Sequence, residues 1–462
     1  MLFNSLEFLL FFIVVFMVNH CLRNTFTPRY LFLLAASYYF YASWNSTYLV
    51  LILITTAIDY GISLKLEGTA SKYMRKILLI ISIAVNLGLL GVFKYYNFFL
   101  DSAYLFFQSI GVPFQYSSLE LFLPIGISFY VFQSISYITD IYFGQQKVER
   151  DPVRFALYIA FFPHLVAGPI VRPQDFLPQF NRLYHITYRQ FMAGMSLIWL
   201  GLAKKVLFAD FFAAYADNYF GNVRQANTIL DALIGIYSFC FQIYFDFSGY
   251  TDTAIGVALL LGFKIPRNFY YPYAALSLSD FWRRWHISLS TWFRDYVYIP
   301  QGGNRSKKSR NIMITMILSG LWHGAAWHFI VWGIYHGFLL VTDWIFQKSK
   351  RSFLPKMFQR LLVFNLVCAG WVLFRVRDLS DIGFVWSHIV NWAMPSQLTN
   401  GKVMALILSF VLYIYYGCVH RWDIKTFMFR QPAWVQTAGH AVILTLLLGL
   451  GNFGNPFIYF QF

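Results

Sequence analysis

Apolar residues run in long stretches rather than alternating with polar ones. These stretches fall at roughly 6–21, 30–46, 48–60, 77–100, 121–143, 190–214, 229–263, 311–346, 361–376, 403–419 and 438–451. Several approach the ~20 residues that a spanning helix needs. The pattern predicts an all-α, polytopic integral membrane protein with about 11 transmembrane helices plus re-entrant and interfacial ones. Leu6 to Cys21 is expected to be a retained span, because no basic residue precedes His20 and no small-residue cleavage site follows. A straight helix over 311–346 would extend about 54 Å, well beyond a ~30 Å hydrocarbon core. That run must therefore bend back or form two pieces, with Gly320, Gly324 and Gly333 as places for a break or a close helix approach. Phe155 to Ile170 is short and carries Pro163, His164, Gly168 and Pro169, so it reads as a re-entrant piece lining a cavity. Asp246, Ser248 and Gly249 interrupt the run at 229–263, which predicts a helix break capped by Asp246 or Ser248 at a cavity wall.

Composition sharpens the class. Only 12% of the 462 residues are charged, 58% are hydrophobic and 21% aromatic, which excludes an ordinary soluble enzyme. The net charge of +16 gathers in short clusters between apolar runs, as expected of cytoplasmic loops rather than of a nucleic-acid surface. Lys65, Lys72, Arg75 and Lys76 place one loop inside, whereas Asp101 to Glu120 holds no Lys or Arg and belongs outside. Counting back puts the N-terminus outside. Arg305, Lys307, Lys308 and Arg310 mark a further cytoplasmic loop, as do Lys348, Lys350, Arg351, Lys356 and Arg360. Cys21, Cys240, Cys368 and Cys418 form no C-x-x-C pair and suggest neither a disulfide framework nor a zinc site.

Chemistry has few places to reside. Between Arg310 and Asp343 lie 32 residues without a formal charge, yet His323, His328 and His336 are among them. A titratable group at such a position is a functional candidate because burial without a partner is costly. His323 sits within Gly320-Leu321-Trp322-His323-Gly324, where small neighbours would leave room for a substrate. His323 and His328 are five residues apart and no carboxylate intervenes, which is not the same-face spacing of a helical metal pair. A general base suits His323 better than a metal ligand. The ordinary explanation for any one such residue is a core histidine bonded to a carbonyl.

Ser279 to Tyr296 is the second constellation. At helical spacing Trp282, Trp285, His286, Leu289, Trp292, Phe293 and Tyr296 share a face, with Arg283, Arg284 and Arg294 off it. This reads as an interfacial amphipathic helix, with His286 on the apolar face as a partner for His323. Gln301-Gly302-Gly303-Asn304-Arg305 offers a weaker signal: Asn304 and Arg305 are candidate contacts for a donor phosphate.

These residues resemble the membrane-bound O-acyltransferase family, in its bacterial branch of alginate and peptidoglycan O-acetyltransferases and the D-alanyl transfer protein. The resemblance rests on five strings. They are Leu123-Pro124-Ile125-Gly126-Ile127-Ser128-Phe129-Tyr130, Phe162-Pro163-His164-Leu165-Val166-Ala167-Gly168-Pro169, Phe245-Asp246-Phe247-Ser248-Gly249-Tyr250, the stretch from Phe281 to Ser290, and Gly320 to Gly324. They cover about residues 120–340; the first 120 match more loosely and the last hundred only in apolar character.

The resemblance implies a single membrane-embedded acyltransferase domain over 1–462, with N-terminal spans to 120, a catalytic core over 121–346 and C-terminal spans over 347–462. It implies a tunnel joining a cytoplasmic thioester to an extracytoplasmic acceptor. By motif, His323 is its catalytic residue and His286 the second essential one, with Trp322, Trp285, Asp246, Ser248 and His164 lining the substrate path. The expected reaction moves acetyl from acetyl-CoA toward hydroxyls of a cell-envelope polysaccharide, with no resident metal or cofactor. A periplasmic partner of the SGNH-hydrolase type and a bacterial inner-membrane location are implied too. The rivals are D-alanyl transfer from a carrier protein to teichoic acid, a transporter in which histidines relay protons, and an inactive scaffold.

Overall fold

A computed structural model describes residues 1–120, 123–166, 168–226, 228–348, 355–392, 399–419 and 431–458. Its regular elements are all helical among the described residues. Among the described residues, six helices are long and apolar enough to cross a membrane, and Leu6–Cys21 and Asn400–Tyr416 are shorter apolar ones. The protein is thus a helical, multi-pass membrane protein. The expected count of 11 spans is not reached by this measure, because several apolar runs fold as helices of only 16 residues, about 24 Å long.

The chain forms two compact units, one of residues 1–191 with 257–266 and one of residues 192–256 with 267–462. In the first unit, helix α1 (Leu6–Cys21) starts where the sequence predicts, with the Ser5 hydroxyl accepting from the Phe8 amide at 3.2 Å. Helices α2 (Thr27–Ala42), α3 (Ser46–Gly68) and α4 (Lys72–Ser109) follow. Buried Asp59 of α3 accepts from Ser82 Oγ at 2.6 Å and Asn86 Nδ2 at 3.0 Å of α4. Polar groups on two apolar helices thereby satisfy each other. Helix α5 (Ile127–Tyr142) is buried almost throughout. Its start is set by Gly126 at φ +78°, where a Cβ would collide with the carbonyl oxygen of Leu165. The first two motifs of the sequence therefore meet backbone to backbone.

Within 155–170 the chain forms α6 (Pro152–Ala160) and a single turn, Phe162–Leu165. A nine-residue helix rises about 14 Å, too short to span. The irregular backbone is satisfied by protein: the Phe162 amide donates to Ser37 Oγ at 3.2 Å, and Tyr158 Oη donates to the Val171 carbonyl at 3.1 Å.

In the second unit, α7 (Tyr188–Ala203) widens into a π-helical stretch, Lys204–Ala209, and continues as α8 (Asp210–Gly221). Against it lies α9 (Ile229–Leu260), 32 residues without interruption. The predicted break at Asp246 to Gly249 is absent. A Cβ at Gly249 would stand 2.6 Å from the Gly201 carbonyl oxygen, so Gly249 serves close helix approach rather than a turn. Asp246 and Asp252 spend their charge on lysines of the π stretch instead of capping a half-helix. Lys205 Nζ lies 2.6 Å from Asp246 and Lys204 Nζ 2.7 Å from Asp252.

The amphipathic segment also differs from expectation. It is two helices, α10 (Leu278–Trp282) and α11 (Ile287–Phe293), not one. Residues 268–270 claim the backbone of the intervening turn: the Tyr270 amide donates to the Arg284 carbonyl and the Ile287 amide to the Asn268 carbonyl, each at 2.9 Å. The run at 311–346 splits as predicted, into α12 (Lys308–His323) and α13 (Trp327–Lys348), parting at Gly324. Helices α14 (Lys356–Arg375), α15 (Asp381–Val390), α16 (Asn400–Val419) and α17 (Ala433–Leu450) complete the unit.

Candidate active site

His323 is the last residue of α12 and is 5% exposed. Its ring stands edge-on to Trp332 at 5.1 Å and to Phe374 at 5.2 Å, with Trp322 at 5.1 Å. The glycines beside it leave no substrate room. A Cβ on Gly320 would collide with the Phe329 carbonyl, and one on Gly324 with the Phe329 ring. Their smallness is used to close the α12–α13 hairpin.

His286 occupies the turn before α11 in the left-handed region, φ 41°, a conformation that costs a non-glycine residue free energy and is held by its surroundings. Asn268 supplies that hold. Its Oδ1 accepts from the Ser288 amide at 3.1 Å and Ser288 Oγ at 2.9 Å, and lies 3.2 Å from His286 Nδ1. A backbone N–H can only donate, so the atom facing it is the amide oxygen and His286 Nδ1 carries the proton. In the neutral form of the ring, the lone pair is then at Nε2.

Trp322 joins the two histidines. Its ring is 6.0 Å from His286 and 5.1 Å from His323. Trp285 packs on Trp371 at 4.8 Å, which stacks on Trp332 at 6.3 Å and so leads back to His323. Of the predicted residues, His286, His323, Trp285 and Trp322 thus share one buried aromatic cluster. Asp246 and Ser248 are buried in α9 on either side of Phe247, whose ring meets His286 edge-on at 4.6 Å.

His164 belongs to the first unit, where Nε2 donates to the Tyr158 carbonyl at 3.0 Å and the ring packs between Phe161 and Phe176 at 5.5 Å each. Asn304 and Arg305 are exposed; Asn304 Oδ1 accepts from Tyr298 Oη at 2.9 Å. No three His, Cys, Asp or Glu side chains among the described residues gather in a way that could hold a metal ion.

Sequence reasoning missed Asn268, Lys204 and Lys205. The lysines had a visible signal, two adjacent cations inside an apolar run. It also missed a cavity of about 640 Å³ in the first unit, whose lining includes Arg182, His185, Lys264 and Asp175. Gln179 braces that cavity by accepting from the Lys264 amide at 2.8 Å and donating to its carbonyl at 2.9 Å.

Comparison with known proteins identifies the family. The sequence model of the membrane-bound O-acyltransferase family matches residues 149–375, which include both histidines. The chain is 40% identical over 430 residues to a probable alginate O-acetylase of Azotobacter vinelandii, covering 90% of this chain and 85% of that one. It is 33% identical over 522 residues to a peptidoglycan O-acetyltransferase of Helicobacter pylori, covering 100% and 98%. A teichoic acid D-alanyltransferase of Bacillus subtilis is 33% identical over 273 residues, 54% of this chain and 68% of that one.

Proposed function

Because the chain belongs to the membrane-bound O-acyltransferase family, we propose that it moves acetyl from cytoplasmic acetyl-CoA across the bacterial inner membrane toward hydroxyls of an envelope or secreted polysaccharide. One observation carries the assignment of roles: two histidines 37 residues apart in sequence meet the same indole, Trp322, inside one buried cluster.

In this reading His323 takes the proton of the attacking hydroxyl. The hydroxyl oxygen bonds to the acyl carbon, the carbon–sulfur bond breaks, and the departing thiolate takes the proton back from His323. His286, with its Nδ1 proton committed to Asn268, offers Nε2 as an acceptor. That favours orienting a hydroxyl or amide donor of a substrate over supplying the donor that an oxyanion needs. Aromatic walls around the two histidines would keep out water, which would otherwise compete as the acyl acceptor.

The relatives named for alginate and for peptidoglycan match over 90% and 100% of this chain, whereas the one named for teichoic acid D-alanylation matches over 54% of it. That contrast favours acetyl over D-alanyl transfer. A periplasmic partner of the SGNH-hydrolase type would receive the acetyl group and hand it to the polymer. Transport of the proton-relay kind would move substrate without consuming thioester.

The test uses sealed vesicles with labelled acetyl-CoA on the cytoplasmic face and acceptor in the lumen. Label should appear on lumenal acceptor with wild-type protein, and His323→Ala should lower the rate by about 10²- to 10⁴-fold, the range of a lost general base. Unchanged transfer by His323→Ala sinks the assignment of the base.

A further inference from the structure

Residues 451–457 leave α17 as irregular backbone, and the stretch from Asn455 to Ile458 is tied into the second unit at three points. Asn455 Nδ2 donates to Asp210 Oδ2 at 3.1 Å, Lys205 Nζ donates to the Pro456 carbonyl at 3.0 Å, and the Ile458 amide donates to Asp246 Oδ2 at 2.7 Å. Lys205 also lies 2.6 Å from Asp246 and 2.9 Å from Asp210. It thus donates hydrogen bonds to Asp210 and to the Pro456 carbonyl and pairs its charge with Asp246.

Placing an ammonium and its carboxylates in a buried site is no efficient way to gain stability, since apolar residues of similar volume commonly do as well or better. What such a group supplies is registry. Where the segment becomes buried, at Phe457 and Ile458, its irregular backbone needs fixed partners for its polar groups, and here the partners set one side chain. Phe457, 1% exposed, stacks on Tyr250 at 4.8 Å and packs on Phe247 at 5.4 Å. Phe247 follows Asp246 directly and meets the His286 ring at 4.6 Å and 84°. Asp246 thus anchors the strap, and the residue after it carries the strap's pressure to the histidine.

We propose that residues 455–458 form a strap, locked by Lys205, Asp210 and Asp246, which sets the His286 ring through Phe457 and Phe247. Lys205, Asp246 and Phe457 are positioning residues. Their effect on turnover rests on the reading above that His286 takes part in the transfer; the effect on the ring itself does not.

The experiment therefore reads both. The full chain in proteoliposomes is treated with diethyl pyrocarbonate, modification of His286 is followed by mass spectrometry, and kcat and donor KM are measured in parallel. Phe457→Ala and Asp246→Asn should each speed His286 labelling about tenfold or more. Each should lower kcat about ten- to hundredfold, the scale expected of a misplacement near 1 Å, while donor KM stays within about twofold. Phe457→Leu, which keeps the bulk, should recover at least half of the lost turnover. Asp246→Asn carries the labelling comparison if the alanine variant does not fold. Because both act through one path, the double variant should be no slower than the slower single one. Wild-type labelling in Phe457→Ala, losses that multiply in the double variant, or a leucine variant as impaired as alanine would each overturn the strap. Faster labelling with untouched kcat upholds the strap and refutes the role of His286 in transfer.

Discussion

Asn268 Oδ1 gathers three partners around one turn, the Ser288 amide, the Ser288 hydroxyl and His286 Nδ1. Removing it takes this acceptor from buried donors, at a cost of about 1–3 kcal/mol, and releases the strained His286 backbone. Asn268→Ala should therefore lower turnover by about tenfold or more, on the scale of one lost positioning hydrogen bond. Combined with His286→Ala it should add little further loss, because both changes remove the same oriented ring. Transfer assays on the two singles and the double decide this; independent, multiplying losses would separate Asn268 from the histidine. His323 and His286 stand out in the sequence as candidates because each sits in a motif with context. Asn268 does not, since its 18-residue distance from His286 shows no spacing rule and appears only once residues 268–270 pair with the turn.

At the scale of elements, the sequence marks ends better than continuity. The split between α12 and α13 was legible because the apolar run is simply too long for one span. The unbroken α9 was not, because the groups that keep it helical lie far away in sequence: Gly201, Lys204 and Lys205 before it, Ile458 after it. A local reading sees Asp, Ser and Gly and infers a break; the folded unit supplies partners that make a break unnecessary. The glycines provide a direct check. At Gly249 a Cβ would press on the Gly201 carbonyl at 2.6 Å, whereas at Gly88 in α4 nothing stands within 4 Å. Gly249→Ala should destabilise the protein by about 1–3 kcal/mol, the usual cost of overpacking. Gly88→Ala should be neutral or slightly stabilising, since it only removes backbone freedom. Thermal melts in the same detergent compare the two, and equal behaviour would mean the α7–α9 contact is not close.

For the whole molecule, the question that decides the chemistry is which loops face the thioester. The charge rule places the loop at 69–71 and the loop at 301–307 on the cytoplasmic side and residues 101–120 outside. Part of this signal has another use: Arg75 donates to the carbonyls of Leu66 at 2.8 Å and Tyr142 at 3.1 Å, satisfying helix C-termini. Lys65, Lys72 and Lys76 still carry the asymmetry. In a chain freed of its native cysteines, single cysteines at Ala70, Val112 and Ser306, all exposed, report the answer. A membrane-impermeant maleimide added to intact cells should label only the Val112→Cys variant; Ala70→Cys and Ser306→Cys should react after permeabilisation. Ser306→Cys matters most, because its loop leads directly into α12 and so to His323. Were it labelled from outside, that loop would be turned away from cytoplasmic acetyl-CoA. The inward supply of donor would then be wrong, even with every histidine in place.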